Sequence, residues 1–516
     1  MKKFPIGIQT FEKIIKGDYL YIDKTKPIYD VINSGTTFFI SRPRRFGKSL
    51  LCSILEEIFK GNKELFKNLW IYNSDYKWPS HPVIRIDMSR IRCRNAEDFE
   101  KRLLNKMKEI ANENEIESPD DFLPDELLAL IIKKLAKKNT VAVIVDEYDK
   151  PLLDHITDIK VAEEIRDVLR GFYGQLKSLD EHLKFVFLTG VTKFSKTSVF
   201  SGLNNLKDLT FDERAADLFG YTQKELEFYF KDSIKKMAAK QQTSATQALL
   251  MLKTWYNGYR FSKKKEKVYN PYSILLSLDA LDFKNYWFET GTPTFLIELI
   301  KKQNYKIKEL ESVDVGPIEL GSFDIEALYP LTVFYQTGYL TIADYIEKTG
   351  NYRLSYPNLE IKNSFLQLLI KGSTNYREAD IRNYYADLYA ALEEKNVESF
   401  VNTMKIFYAN IPYTVQDKQK EQNYQLLFYA MLKLLGFTIV VEEPTNIGRI
   451  DAVIKIKNYI YVFEFKVDQD AKKALNQIEN KKYYEKYKEQ DKILIAVGIN
   501  FDSKAKNITD FKIKEL

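Results

Sequence analysis

Four short apolar runs punctuate the first third of the chain: "TTFFIS" (36–41), "VIRIDMS" (83–89), "VAVIVDE" (141–147) and "KFVFLTG" (184–190). They are continuously apolar and rich in β-branched and aromatic residues, as strands buried on both faces are. Helical stretches separate them, so the pattern predicts a parallel α/β sheet. Each run ends in polar residues: Ser41, Asp87, Asp146 with Glu147, and Thr189. Open parallel sheets bind ligands beyond the carboxyl ends of their strands. These polar side chains therefore collect where a site belongs.

From about residue 215 the pattern turns helical. Thr222 and Glu225 read as a capping box opening "ELEFYFKDSIKKM". Helices are expected to about 375, broken by "WYNGYRFSKKKEKVYNPYSIL" (255–275), and a long amphipathic stretch, "EADIRNYYADLYAALEEKNVESFVNTMKIFYANI", follows. After 420 a helix, "NYQLLFYAMLKLLG", ends at Gly436 and a strand, "FTIVVEE" (437–443), begins. "RIDAVIKIKN" (449–458) and "YIYVFEFKV" (459–467) form a predicted hairpin turning at Lys457-Asn458. A helix "AKKALNQIENKKYYEKYK" and a strand "KILIAVGINF" (492–501) complete an α-β-β-β-α-β unit, a second compact domain.

Composition narrows the class. A chain of 516 residues exceeds one core, so two to four domains are expected. No apolar run reaches membrane-spanning length, and "MKKFPIGIQTFEKII" lacks the apolar segment of a secretory signal. With no such run, no membrane is expected, and two cysteines, Cys52 and Cys93, cannot build a disulfide framework, which points to a reducing, cytoplasmic location. The three histidines lie in unrelated contexts, so a catalytic metal would be held by carboxylates, as magnesium is. A net charge of +6 permits nucleic-acid binding without arguing for it.

Between the first strand and the next helix lies "SRPRRFGKSLL" (41–51). Gly47-Lys48-Ser49 is the tail of a phosphate-binding loop, although Arg42 stands where such a loop begins with glycine. The tripeptide is weak alone; the strand before it and the helix after it strengthen it, because backbone N–H groups and the helix dipole then face phosphates. Lys48 would reach the β- and γ-phosphates and the Ser49 hydroxyl a magnesium ion. Asp146 would hold the magnesium shell and Glu147 polarise the attacking water. Thr189 sits where a γ-phosphate sensor would, or merely satisfies a backbone group. Arg44 and Arg45 would lower the cost of the triphosphate's charge, or pair with acids across a subunit interface. Arg260 is a candidate second-site arginine or a surface turn residue.

"IDKT" (22–25), "SRPRRFGKSLL", "VIVDEYDKPL", "LTGVTKFS", "YNGYRF", "YNPYSIL" and "FETGTP" together resemble the AAA-ATPase-like family, prokaryotic P-loop proteins with an arginine-rich nucleotide loop, from near residue 4 to about 290. The resemblance implies ATP binding by Arg42, Arg44, Arg45, Phe46, Gly47, Lys48, Ser49 and Leu50 with Asp146 and Thr189, magnesium at Ser49 and Asp146, and hydrolysis through the two acids. "YLYIDKT" matches by position a segment that clamps adenine in related ATPases, or is an ordinary strand or turn.

"GRIDAVIKIKNYIYVFEFKV" carries a second chemistry. Alternation puts Glu464 and Lys466 on one face of their strand, and a hairpin can bring Asp451 beside them. Two carboxylates binding one or two magnesium ions, with Lys466 orienting water, make a phosphodiester-hydrolysing site. Glu-x-Lys alone carries no weight, since Glu393-Glu394-Lys395 satisfies it in a helix. The assembly of helix, strand, hairpin and a following helix with Gln477 resembles the PD-(D/E)XK nuclease fold over residues 420 to 505. In that resemblance Gln477 touches a metal-bound water or phosphate, or is a solvated glutamine. Many such nucleases carry a glutamate on the first helix; here only Glu421, beside Gln422 and Gln425, is available. Lys472, Lys473, Lys481, Lys482 and Lys486 line the last helix, a solvated face that could also bind phosphates.

The fold expected is therefore α/β: an N-terminal P-loop NTPase parallel sheet (1–215), a mostly helical lid or middle region (216–375), a helical linker (376–419) and a C-terminal PD-(D/E)XK nuclease-like domain (420–516). The function expected is ATP binding and hydrolysis joined to a magnesium-dependent nuclease acting on nucleic acid, DNA more than RNA, with a homo-oligomer carried alongside. The rival is an ATP-driven switch whose nuclease-like domain grips nucleic acid or a partner without cutting.

Overall fold

A computed structural model describes residues 2–194, 199–287, 312–321, 329–373, 378–409, 428–433, 438–445, 448–456, 458–487 and 492–516. The chain forms two compact units, Met1–Phe295 with Asp314–Ile361, and Leu296–Val313 with Lys362–Leu516.

The first unit is built on a five-stranded sheet in the order β2-β3-β4-β1-β5. Its strands are β1 (Thr37–Ser41), β2 (Val83–Asp87), β3 (Val141–Asp146), β4 (Leu183–Gly190) and β5 (Lys207–Asp208). Every pairing is parallel. β1 and β3 are buried along their whole length, as continuous apolar runs require. β2 departs from that expectation: it lies at the edge, only Ile84 and Ile86 are buried, and Arg85 reaches Glu56 at 3.0 Å. The order places β4 between the strand leading into the loop and the strand ending in acids, so the carboxyl ends of all three share one rim.

Beyond residue 215, the helices Gln223–Tyr229, Lys231–Lys240, Ala245–Tyr256 and Pro271–Ala280 pack around a core that includes Leu226, Phe230, Met237, Leu252 and Ile274 together with Ile22 from the N-terminal segment. The capping box is formed: the Thr222 N–H donates to Glu225 at 2.7 Å and the Glu225 N–H returns to the Thr222 hydroxyl. The mostly helical region expected up to 375 also contains a small sheet that the pattern did not indicate, β6 (Val313–Val315), β7 (Thr341–Ile346) and β8 (Asn351–Ser355), in the order β6-β8-β7. β7 and β8 form an antiparallel hairpin that turns through Gly350 at φ 72°.

In the second unit the long amphipathic stretch is two helices, Glu378–Glu393 and Val397–Ala409, divided where Lys395 turns left-handed (φ 59°) and Asn396 caps the Ser399 N–H. β9 (Thr438–Thr445), β10 (Gly448–Lys455) and β11 (Tyr459–Val467) are antiparallel neighbours, as expected for the hairpin. β12 (Ile493–Asp502) runs parallel to β11, reached through the helix Ala471–Asn480. A strand missing from the expected unit, β13 (Asn507–Glu515), closes the edge antiparallel to β12.

Candidate functional site

The loop after β1 enters the helix Lys48–Phe59 through Gly47 at φ 92°, a backbone that a side chain would strain. Arg45, at φ 68°, is left-handed too. The Lys48 ammonium folds back onto its own loop, donating to the carbonyls of Arg42 (2.9 Å) and Pro43 (3.1 Å). Burial pulls its pKa below the ordinary lysine range, against the opposing charges of Glu147, Asp146 and Asp149.

Asp146 ends β3 buried beside the Ser49 side chain, while its Oδ1 has no partner among the described residues. Burial raises its pKa, and Ser49 and Lys48 oppose the shift. An orphaned carboxylate oxygen beside a serine hydroxyl is an oxygen pair that suits magnesium. Glu147 follows in a left-handed backbone (φ 52°), its pKa also raised by burial with Lys48 opposing. A cavity of about 460 Å³ is lined by Arg44, Arg45, Gly47, Lys48, Ser49, Leu50 and Glu147.

Other predicted residues turn away from this cavity. Arg42 is 1% exposed, and its guanidinium donates to the carbonyls of Ser41 (2.8 Å), Thr210 (2.9 Å) and Ala215 (3.0 Å). It lies over the Phe261 ring at 4.2 Å. The cation that replaces the loop's first glycine is thus tied to backbone carbonyls and does not line the cavity. Phe46 is buried edge-on against Tyr259 and Phe261. The Thr189 hydroxyl donates to the Ile40 carbonyl at 3.0 Å inside the sheet, so the backbone-satisfying alternative is the one formed. Arg260 is neither a surface residue nor at the cavity: it is buried, holding the carbonyls of Ser262, Lys263, Lys264 and Ala343.

Sequence reasoning missed other residues of the cavity lining: Pro5, Gly7, Ile8 and Gln9 together with Tyr221, Pro271, Tyr272 and Leu275. "YLYIDKT" instead contributes Leu20, Tyr21, Ile22 and Lys24 to a smaller neighbouring cavity of about 90 Å³. Asp149 was missed as well. Its carboxylate accepts the Val191 N–H (3.0 Å), the Thr192 N–H (2.6 Å) and the Thr192 hydroxyl (2.6 Å), pinning the loop after β4. A Cβ on Gly190 would lie 2.4 Å from that carboxylate, so the glycine is needed for the close approach. A third acid, three residues after Asp146 in Asp146-Glu147-Tyr148-Asp149, was the available signal.

In the second unit the hairpin and the following helix bring Asp451, Glu464, Lys466 and Gln477 together. The Asp451 carboxylate accepts the Phe465 N–H at 2.8 Å. Glu464 is 1% exposed; its Oε1 accepts from Lys466 (3.2 Å) and from the Gln477 amide. Its Oε2 has no partner among the described residues. Burial, then the charge of Asp451, push the Glu464 pKa up to about 8, against Lys466. A buried oxygen left open beside a second carboxylate fits a divalent cation. Gly498 lets the helix approach: a Cβ there would lie 2.5 Å from the Ala471 carbonyl. Among the described residues no group of three or more His, Cys, Asp or Glu comes together. Glu421, Gln422 and Gln425 lie outside the described residues. Lys472, Lys473, Lys481 and Lys482 are exposed. No helix among the described residues is long and apolar enough to cross a membrane.

Comparison with known proteins agrees with this architecture. A family model described as a predicted AAA-ATPase matches residues 5–200, and one of the PD-(D/E)XK nuclease superfamily matches residues 419–511. An uncharacterized protein in the vnfD 5' region of Azotobacter chroococcum mcd 1 is 36% identical over 531 residues, covering 100% of this chain and 99% of that protein. With its nucleotide-type loop at the end of a parallel sheet and its Asp-Glu-x-Lys strand pair, the chain belongs to the AAA-ATPase-like family and carries a C-terminal domain of the PD-(D/E)XK nuclease superfamily.

Proposed function

We propose that the first unit binds and hydrolyses ATP at the cavity beyond β1 and β3, and that the C-terminal domain is a magnesium-dependent nuclease acting on nucleic acid, DNA more than RNA. The observation that carries the first half is the convergence of Lys48, Ser49 and Glu147 on one cavity, with Arg44 and Arg45 on its wall. Arg44, Arg45 and Lys48 supply positive charge for phosphates. Lys48 exchanges two loop carbonyls for phosphate oxygens. Ser49 and Asp146 would hold magnesium, which when bound neutralises phosphate charge. Glu147, held with a raised proton affinity, orients and deprotonates water. In this reading 1–215 is the ATPase domain, 216–375 its lid or middle region, 376–419 a linker and 420–516 the nuclease-like domain.

In the C-terminal domain Asp451 and the open Oε2 of Glu464 would hold magnesium, Lys466 would orient water, and Gln477 would fix the Glu464 carboxylate. The test is cleavage of single- and double-stranded DNA and RNA with magnesium, with and without ATP, by wild type, Lys48→Ala and Glu464→Ala. We expect cutting that Glu464→Ala abolishes and that Lys48→Ala alters. Cutting indifferent to Lys48→Ala refutes coupling; no cutting of any substrate refutes the nuclease half.

The second reading is an ATP-driven switch that grips nucleic acid without cutting. It is favoured by the engagement of Glu464 Oε1 with both Lys466 and Gln477, which leaves one oxygen of that carboxylate for a cation. A magnesium titration separates the two, since only the nuclease reading expects a response that Asp451→Ala removes.

A further inference from the structure

The arginine-rich segment is held by residues far along the chain from the loop. The indole N–H of Trp287 donates to the Arg44 carbonyl at 3.2 Å. Trp287 is itself fixed: it is buried, its backbone N–H donates to Glu360 at 2.7 Å, and its ring stands edge-on to Tyr339 at 5.1 Å. Beside it Gly338, at φ 94°, meets Pro43 so closely that a Cβ would lie 2.6 Å from the proline Cβ. Trp287 is not on the cavity wall, whereas Arg44 and Arg45 are. The indole thus holds a residue of the cavity wall without itself lining the cavity.

A trans peptide points the carbonyl of one residue and the N–H of the next in opposite directions. The peptide between Arg44 and Arg45 is trans, since the described chain has no cis bonds. Holding the Arg44 carbonyl toward Trp287 therefore turns the Arg45 N–H away from the indole, on a residue that lines the cavity and whose left-handed conformation continues the turn to Gly47. Successive N–H groups presented in this way bind anions.

We propose that Trp287 is a positioning residue of the nucleotide site: its indole N–H locks the Arg44–Arg45 peptide with the N–H facing the phosphates. This rests on the reading of the cavity as an ATP site and adds an element supplied from outside residues 5–200. A loop N–H that contacts phosphate throughout the reaction contributes equally to substrate and transition state, so its loss raises KM and leaves kcat unchanged.

The test is ATP affinity and steady-state hydrolysis in the full chain for wild type, Lys48→Ala, Trp287→Phe and Trp287→His, with folding checked by circular dichroism. Trp287→Phe is expected to raise Kd and KM about five- to tenfold with kcat within about twofold, the size of one ordinary hydrogen bond. Trp287→His, which keeps a ring N–H, is expected to recover part of that affinity. Benzothienylalanine at position 287 removes only the N–H from an otherwise isosteric ring and serves if Trp287→Phe does not fold. An unchanged KM, or a lowered kcat at unchanged KM, overturns the brace and makes Trp287 a packing residue. A wild type whose ATP affinity is absent or indifferent to Lys48→Ala overturns the ATP-site reading, and the brace with it.

Discussion

Replacing Arg42 with methionine separates a structural pin from a phosphate ligand. Methionine keeps most of the apolar stem and the contact with Phe261, but leaves the carbonyls of Ser41, Thr210 and Ala215 without their donor. Each lost bond to a buried carbonyl costs about 1 kcal/mol or more, and loss of the cation over the aromatic ring about 1 kcal/mol. Relief from burying a charge, which already holds the Arg42 pKa down to about 10, offsets part of this. The net expectation is a destabilisation of roughly 3 kcal/mol, or roughly 6 °C in the melting temperature of the first unit. Urea unfolding followed by intrinsic fluorescence measures the first quantity. ATP affinity, taken where the variant is still folded, is expected to stay within about threefold of wild type, because the guanidinium does not line the cavity. A variant of near wild-type stability whose ATP affinity falls tenfold would refute the reasoning and return Arg42 to the phosphates.

Lys48→Ala is expected to lower ATP affinity about a hundredfold by calorimetry, since it removes the charge facing the phosphates. The Glu360 carboxyl holds its proton up to about pH 8 because it is buried, whereas an unfolded glutamate loses it near pH 4.5. Wild-type stability therefore falls as pH rises through that window, and the stability of Glu360→Gln relative to wild type is expected to grow with pH, from little near pH 5 to a few kcal/mol by about pH 8, read from denaturant midpoints across pH. Asp451→Ala is expected to abolish magnesium-dependent cleavage; activity that survives it in the purified variant points to contamination. Gly498→Ala is expected to cost about 2 kcal/mol and to loosen Gln477 from Glu464, seen as a lowered unfolding midpoint, because the helix backbone must retreat from the new Cβ.

The parallel sheet was legible because strands buried on both faces must be continuously apolar, and β1 and β3 are. The hairpin carrying Asp451 and Glu464 was legible because a period of two assigns faces directly. β13 and the β7–β8 hairpin were not, since their half-exposed strands mix polar and apolar residues and the hydrophobic pattern weakens. Local sequence also determined the types of chemistry: a Gly-Lys-Ser turn, two acids at a strand end, and a glutamate and lysine on one face. Which groups reach the cavity was decided only by long-range packing. Arg42 and Arg44 differ by two positions in the same basic segment, yet one is spent on carbonyls from residues 210 and 215 and the other lines the site. A side chain's direction depends on which acceptors the rest of the fold brings near it. Thr210, Trp287 and Gly498 enter these sites through contacts whose partners lie far along the chain, and no local window of sequence contains both sides of them.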